Sequence, residues 1–196
     1  LGNYLIKDMS ATTQFTDDFG NMGPILLPIV IAGVGILASI IGTFLVKIKD
    51  NSAKEPEVQK ALDLGNWVSI IITAIAGWFL IKMMLPETLK MNFFGEGLKE
   101  VPSRHVFYAT LIGLAVGALI SMVTAYYTSL GKKPVLEIVQ NSSTGAATNI
   151  IAGLAVGMKS TFLSVILFAA AIYGSYALAG FYGVALAASA MMATTA

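Results

Sequence analysis

Long apolar blocks alternate with short polar segments along this chain of 196 residues. Residues 24–46 carry no charged side chain, and as a helix they would extend about 34 Å, at about 1.5 Å per residue. This length exceeds the roughly 30 Å hydrocarbon core of a bilayer. The same pattern predicts membrane-spanning helices over residues 24–46, 64–84, 106–130, 145–178 and 181–196.

These blocks predict an all-α fold, a polytopic transmembrane helical bundle with about five membrane-spanning helices. Residues 1–23 are polar and have no apolar core of signal-peptide length, so they predict an extramembrane connector. The chain starts with Leu1 and is still apolar at Ala196. We therefore expect residues 1–196 to form a single membrane-embedded fragment of a longer protein, with the last helix truncated.

Composition supports the membrane prediction and excludes several classes of function. The chain is 56% hydrophobic and 12% charged, with a mean hydropathy of +0.78, whereas a soluble domain carries about 25% charged residues. A net charge of +1 provides no basic surface for nucleic acid. Cysteine is absent, which excludes disulfides, thiolate catalysis and cysteine metal sites.

The distribution of cations predicts an orientation. The loops after the first and third blocks carry six lysines, at positions 47, 49, 54, 60, 132 and 133, and the other side carries five cations, at positions 7, 82, 90, 99 and 104. Because cytoplasmic loops are enriched in Lys and Arg, we expect the loop after the first block to lie in the cytoplasm.

The two longer polar segments are predicted to be surface loops. Residues 49–63 are charged and contain Pro56, and a short helical turn is expected only around Glu57 and Lys60. The other loop is bracketed by Pro86 and Pro102, and Ser103 is predicted to cap the next helix.

Acidic residues are confined to the polar segments. A carboxylate at the bilayer centre costs about 2.5 to 3.5 kcal/mol and is usually found there for ion or proton transport, so the apolar blocks contain no proton relay or carboxylate ion site. The adjacent Asp17 and Asp18 are expected to be solvated, and His105, the only histidine, to lie at the membrane interface. The sequence thus predicts no catalytic, cofactor-binding or metal-binding residue.

A lysine and several small residues interrupt the apolar blocks. Lys159 is expected either to reach the interface with its long side chain or to face a water-filled cavity and pair with an acid outside the chain.

The run Gly33 to Ala38 fits a dinucleotide fingerprint, but it lies inside a membrane helix, so that interpretation is rejected. Gly113 to Gly117 recurs letter for letter as Gly153 to Gly157, which predicts close helix packing. The Ala-rich stretch 177–193 predicts a helix buried among other helices.

Four motifs follow one another in the last eighty residues. They are Tyr126-Tyr127-Thr128-Ser129, Ser143-Thr144-Gly145-Ala146-Ala147-Thr148-Asn149, Gly153-Leu154-Ala155-Val156-Gly157-Met158-Lys159-Ser160, and Gly180-Phe181-Tyr182-Gly183-Val184-Ala185. Their order and spacing resemble the membrane-integral inorganic pyrophosphatases, which couple diphosphate hydrolysis to the pumping of sodium ions or protons. The chain departs from the family pattern at Ala125, where the family has Glu.

The resemblance implies a role within a larger protein. In that family, clusters of aspartates hold magnesium and diphosphate at cytoplasmic helix ends, and those clusters are missing here. The resemblance therefore implies the middle segment of a pyrophosphate-energised ion pump, which supplies scaffold helices and no active site. It implies inorganic diphosphate as the substrate of the parent protein, with magnesium, and further potassium and sodium, as its ions. It also implies a homodimer in the bilayer of a prokaryotic inner membrane.

Two other functions stay open from the residues alone. The chain could be a small non-enzymatic membrane subunit or channel component that oligomerises through its Gly and Ala helix faces. A carrier with a midplane substrate site ranks below this, because it calls for broken helices with polar residues at mid-depth, whereas the polar run 141–149 is expected at a helix start.

Overall fold

The computed structural model describes residues 23–45, 55–85, 87–93 and 97–195. It contains five helices and one hairpin in the described ranges, in the following chain order: α1 (Gly23–Leu45), α2 (Glu55–Met84), β1 (Thr88–Phe93), β2 (Gly97–Pro102), α3 (Ser103–Thr128), α4 (Lys133–Ser142) and α5 (Ala146–Thr195). The predicted connector, with Asp17 and Asp18, lies outside the described residues except for Gly23, which begins α1.

Four of the described helices are long and apolar enough to cross a membrane, namely α1, α2, α3 and α5. The last of them is bent, because Ala179 and Gly180 have non-helical backbone angles. The bend divides α5 into a first segment, residues 146–178, and a second segment, residues 181–195. The predicted polytopic helical bundle is therefore confirmed.

Helix α2 begins earlier than the sequence pattern predicts. The prediction of a surface loop over 49–63 is wrong for residues 55–63, which form the first turns of this helix. Pro56 occupies the second helical position, where its missing N–H breaks no intrahelical hydrogen bond. Most of the residues that follow, including Gln59, Lys60 and Ala61, are good helix formers. The helix thus extends beyond its apolar block.

The segment between Pro86 and Pro102 forms an antiparallel hairpin, so the prediction of a loop there is wrong. Its register pairs Leu89 with Val101. Both side chains are buried against the helices, because paired residues lie on the same face of a two-stranded sheet. The hairpin gains its stability from this contact, since an isolated two-stranded hairpin is only marginally stable in water.

The hairpin also changes how α3 begins. Pro102 occupies the N-cap position without a side-chain hydrogen bond, so the prediction that Ser103 caps the helix is wrong. Ser103 is instead the first helical residue, and its backbone N–H donates to the carbonyl oxygen of Glu87 at 3.0 Å. The carbonyl oxygen of Glu87, just before β1, thus accepts one of the backbone N–H groups at the start of α3 that have no partner within the helix.

A short amphipathic helix, α4, occupies part of the loop that follows α3. Pro134 lies in its first turn and is its buried residue. Because α4 ends at Ser142 and α5 begins at Ala146, Asn141 closes one helix and Asn149 lies in the next. The prediction that the whole polar run 141–149 starts a helix is therefore wrong for its first residues.

The core lies where the second segment of α5 meets α1, α2, α3 and the hairpin. Its fully buried side chains include Leu27, Met84, Leu89, Val106 and Leu186. The first segment of α5 is mostly exposed, with large apolar side chains such as Ile150, Leu154 and Phe162 on its surface. The two segments of α5 therefore have different environments.

The buried hairpin residue provides a test of the core. Leu89→Ala is expected to destabilise the chain by about 2 to 5 kcal/mol, because truncation leaves a cavity beneath the hairpin. The midpoint of unfolding in detergent, followed by circular dichroism, measures the change. Leu130→Ala is the matched control, since Leu130 is 66% exposed. An equal shift for both variants would show that the hairpin does not pack as described.

Candidate functional site

The break in α5 has an unusual backbone geometry. Ala179 has φ −144° and ψ 27°, and Gly180 has φ 57° and ψ −153°. The second pair of angles lies in a region that is essentially open only to glycine, because a side chain would collide with the backbone there. The break falls between two of the predicted apolar blocks. A glycine at this place is therefore required by the fold.

The second segment of α5 packs very closely on α3. A Cβ atom at Gly113 would lie 2.6 Å from the Cα of Ala187, and one at Gly183 would lie 3.2 Å from the Cβ of Ala109 on α3. The Cβ atom at Gly183 would also lie 2.6 Å from the carbonyl oxygen of Ser175, in the first segment of α5. Small residues let two membrane helices approach in this way. The prediction that the Ala-rich stretch 177–193 is buried among helices is confirmed for Ala179, Leu186 and Ala190 among others.

The two copies of the repeated pentapeptide lie in different environments. Gly113 and Gly117 are both buried, and Gly113 lies against Ala187 of the second segment of α5. Gly153 and Gly157 lie on the first segment of α5 with nothing within 4 Å of a built Cβ atom. The predicted close packing therefore holds for the first copy, and the second copy has no such contact within the described residues.

A long-range hydrogen bond joins α1 and α5, the first and last of the described helices. The buried hydroxyl of Tyr182 donates to the carbonyl oxygen of Pro24 at 2.8 Å. In a regular helix that carbonyl would accept from the backbone N–H four residues later, but this residue is Pro28, which has no N–H. The tyrosine on α5 thus replaces a hydrogen bond that α1 cannot form for itself.

Sequence reasoning missed this contact, although a signal for it was available. A proline inside a helix leaves the carbonyl four residues earlier without its backbone donor. Pro28 therefore pointed to Pro24 as an acceptor in need of a partner. The identity of the donor could not be predicted, because Tyr182 is 158 positions away in the chain.

Two buried polar atoms have no hydrogen-bond partner among the described residues. They are the Oγ of Ser175, a fully buried residue just before the break, and the Oδ1 of Asn149. Cation sites usually contain several oxygen ligands. Each of these atoms is a single oxygen, so neither makes an ion site by itself.

The polar motif between α4 and α5 is a hydrogen-bonded connection. The hydroxyl oxygens of Thr144 and Thr148 lie 2.7 Å apart, and each lies within hydrogen-bond distance of the carbonyl oxygen of Asn141. Because each hydroxyl donates one hydrogen, at most two of these three contacts are hydrogen bonds at any one time. Ser143 donates to the carbonyl oxygen of Gln140. These hydroxyls add to the backbone N–H groups of Ser143 and Thr144, which also donate to the carbonyl oxygens of Gln140 and Asn141 at the end of α4. The contacts give the motif a structural role.

The Tyr-Tyr-Thr-Ser motif closes α3. The carbonyl oxygen of Ala125 accepts the N–H of Ser129 at 2.9 Å, and the rings of Tyr126 and Tyr127 meet edge to face with centroids 5.3 Å apart. Position 125 thus lies in the last turn of the helix, where a negative charge is unfavourable by about 0.3 to 1 kcal/mol. Alanine avoids that cost.

The charged residues singled out in the sequence are not brought together. Lys159 and His105 are both exposed, on different helices. Within the described residues, no three His, Cys, Asp or Glu side chains lie close enough to hold a metal ion. The described structure thus consists of a close-packed contact around the break and a largely exposed helix, and it presents no convergent set of acids.

One family profile matches nearly the whole chain. The profile described as "Inorganic H+ pyrophosphatase" matches residues 4–196.

Relatives from several bacteria are similar over most of this chain. A protein of Caldanaerobacter subterraneus, named a K(+)-insensitive pyrophosphate-energized proton pump, is 41% identical over 91% of this chain and 25% of the relative. A pyrophosphate-energized proton pump 2 of Rhizobium leguminosarum is 37% identical over 84% of this chain and 74% of the relative. A Clostridium tetani protein, whose name describes a K(+)-stimulated pyrophosphate-energized sodium pump, is 35% identical over 98% of this chain and 27% of the relative. The chain thus spans about a quarter of the length of the first and third of these relatives.

The bond between Tyr182 and Pro24 can be tested with a double-mutant cycle. Tyr182→Phe is expected to cost about 1 to 3 kcal/mol, because it leaves a buried carbonyl without a donor. Pro28→Ala restores a backbone N–H to α1, so Tyr182→Phe should cost less in that background. Unfolding in mixed detergent micelles measures both differences. Tyr173→Phe is the control, since Tyr173 is 78% exposed, and equal costs in both backgrounds would contradict the coupling.

The break itself can be tested with one glycine substitution. Gly180→Ala is expected to destabilise the chain by about 1 to 3 kcal/mol, because its backbone angles exclude a side chain. Gly157→Ala is the matched control: its Cβ meets nothing within 4 Å, and alanine favours a helix by about 0.5 to 1 kcal/mol. The midpoint of thermal unfolding compares the two. A Gly180 variant as stable as the parent would disprove the strained geometry.

Proposed function

The chain belongs to the inorganic H+ pyrophosphatase family, and on this premise we propose that it is the middle segment of a pyrophosphate-energised ion pump. The observation that carries the proposal is the match over residues 4–196, set beside a coverage of only 25% of the Caldanaerobacter relative. The parent protein would couple diphosphate hydrolysis to the transport of sodium ions or protons.

Within that pump, this segment supplies scaffold helices and no active site. The close contact between α3 and the second segment of α5 supports a rigid scaffold, because its small residues leave no room for adjustment. The exposed apolar side chains on the first segment, such as Ile151 and Met158, provide a surface for lipid or for other helices of the pump. Residues 1–196 would form one membrane-embedded unit, with spans at 24–46, 64–84, 106–130, 145–178 and 181–196.

Ions and substrate belong to the parent protein in this proposal. Magnesium would act with diphosphate, and the names of the relatives include both K(+)-insensitive and K(+)-stimulated pumps. The described residues do not fit a magnesium site, since no three acidic, His or Cys side chains converge. No catalytic step is therefore assigned to this chain, and no residue in it is proposed to bind substrate, cofactor or metal.

Assembly and location complete the proposal. The pump would be a homodimer in a prokaryotic inner membrane, with the loop between α1 and α2 in the cytoplasm. That orientation puts the hairpin, the start of α1 and the break in α5 on the opposite side. The core cluster and the hydrogen bond from Tyr182 to Pro24 support placing these three features together.

A chimera tests the scaffold role directly. The matching part of the Caldanaerobacter relative, 41% identical to this chain, is replaced by residues 1–196. The chimera is expected to hydrolyse diphosphate within about tenfold of the relative, a difference of about 1.4 kcal/mol. The same chimera with Gly113→Leu should lose that activity, because leucine would collide with the backbone of Ala187.

Two controls separate this role from that of a channel component. The 196-residue chain alone, reconstituted with magnesium and diphosphate, is expected to release no orthophosphate above protein-free vesicles. The same vesicles should show no ion flux. Hydrolysis by the chain alone would contradict the scaffold role. The channel hypothesis would be favoured by two results together: the chimera inserts into the membrane but does not hydrolyse diphosphate, and the 196-residue chain alone conducts ions.

A further inference from the structure

A cleft with both polar and apolar lining opens at one end of the seam between α2 and α3. It has a volume of about 720 Å³ and lies between the end of α2, the base of the hairpin and the start of α3, within the range of roughly 300 to 1,000 Å³ typical of ligand pockets. Its lining combines two cations, one acid and three aromatic rings, which are Lys82, Arg104, Glu87, Trp78, Phe107 and Tyr108.

The cations lie at the mouth of the cleft, and its floor is apolar. Lys82 and Arg104 are exposed, whereas Ile81 is buried. The rings of Trp78 and Phe107 meet edge to face with centroids 4.8 Å apart. The ammonium of Lys82 lies 4.9 Å from the centroid of the Trp78 ring. The cleft therefore offers positive charge to water and an aromatic surface to the membrane interface, where Trp and Lys are favoured.

An apolar groove continues along the same seam. It has a volume of about 330 Å³, and its lining on α2 is Trp67, Ile70 and Ala74. On α3 it is lined by Leu111, Leu114, Ala115, Ala118, Leu119 and Met122. The α2 residues continue toward Trp78 in steps of three or four, so the groove and the cleft share one face of that helix.

The dimensions of the seam match one leaflet of a bilayer. Ile70 lies twelve positions before Lys82, which corresponds to about 18 Å along a helix. Half of the roughly 30 Å hydrocarbon core is about 15 Å. A chain of methylene groups that starts at the cleft therefore reaches the apolar groove near mid-depth.

We propose that this seam binds one anionic phospholipid. The phosphodiester lies between Lys82 and Arg104, the glycerol backbone lies against Trp78, and one acyl chain occupies the groove. Arg and Lys are the usual phosphate-binding side chains, and basic pockets between membrane helices bind lipid head groups. The inference requires that the chain lie in a bilayer and does not depend on its role in a pump.

Charge complementarity favours an anionic lipid over a zwitterionic one. Lys82, Arg104 and Glu87 give the cleft a formal charge of +1, which one phosphodiester neutralises. A zwitterionic head group leaves that charge unchanged. Free phosphate would bind the two cations but would make no contact with the apolar groove. The seam as a whole therefore fits a lipid best.

The two tryptophans of the chain make the proposal testable. Trp67 lines the groove and Trp78 lines the cleft, and the chain has no other tryptophan. The full chain in detergent micelles is titrated with phosphatidylglycerol or phosphatidylethanolamine, each carrying the same brominated acyl chains. Bromine quenches tryptophan at short range, so quenching is expected at about tenfold lower phosphatidylglycerol than phosphatidylethanolamine, a difference of about 1.4 kcal/mol.

Variants locate the site within the seam. Lys82→Gln combined with Arg104→Gln is expected to remove the preference for phosphatidylglycerol. Lys132→Gln combined with Lys133→Gln removes the same charge from exposed positions outside the seam and should keep the preference. Ala115→Phe, made in a Trp67→Phe background that leaves Trp78 as the one tryptophan, should fill the groove and weaken quenching of Trp78 by either lipid. Thermal unfolding of each variant establishes that it is folded.

Three outcomes would overturn the proposal. Equal quenching by the two lipids would disprove charge recognition. A preference that survives in the folded Lys82 and Arg104 double variant would place the lipid elsewhere. Release of the brominated lipid by millimolar orthophosphate or diphosphate, with no effect from the Ala115 substitution, would identify the cleft as a site for free phosphate.

Discussion

The hydroxyl of Tyr182 donates to the carbonyl oxygen of Pro24 because Pro28 cannot. In hydrocarbon each unsatisfied backbone group costs several kcal/mol, so a helix with an internal proline needs a donor from a neighbouring element. That donor lies 158 positions further along the chain and links α1 to α5. The buried core of α1, α2, α3 and the hairpin surrounds this link.

The link in turn requires the break in α5. Tyr182 follows Gly180 by two residues, and the angles at Gly180 separate the exposed first segment from the buried second segment. Close packing then holds the second segment on α3, where Gly113 faces Ala187 and Gly183 faces Ala109. Helix association in a membrane depends on such contacts more than on the hydrophobic effect, since lipid tails are as apolar as the side chains. This arrangement supports the proposed scaffold role.

Much of this could be predicted from local pattern, and some of it could not. Apolar block length predicted the bundle, and the small residues around Gly180 predicted a buried helix. The hairpin was missed because Leu89 and Val101 form a buried pair only through contact with the helices. The early start of α2 was missed because residues 55–63 are largely polar. Hydropathy shows which part of a helix lies in the membrane, but it does not show where the helix begins. The repeated pentapeptide predicted two packed surfaces, and only the first has a partner in the described chain.

By itself the sequence determined the class of the protein, the places where the chain can cross a bilayer and the family it resembles. These properties depend on lengths, charges and residue order, which are local and additive. Tertiary structure alone decided which hydroxyl satisfies Pro24, which copy of the repeat is buried, and how Lys82 and Arg104 come to line one cleft. Each of these depends on which distant parts of the chain pack together, and the free energy of that packing depends on geometry that residue order does not contain.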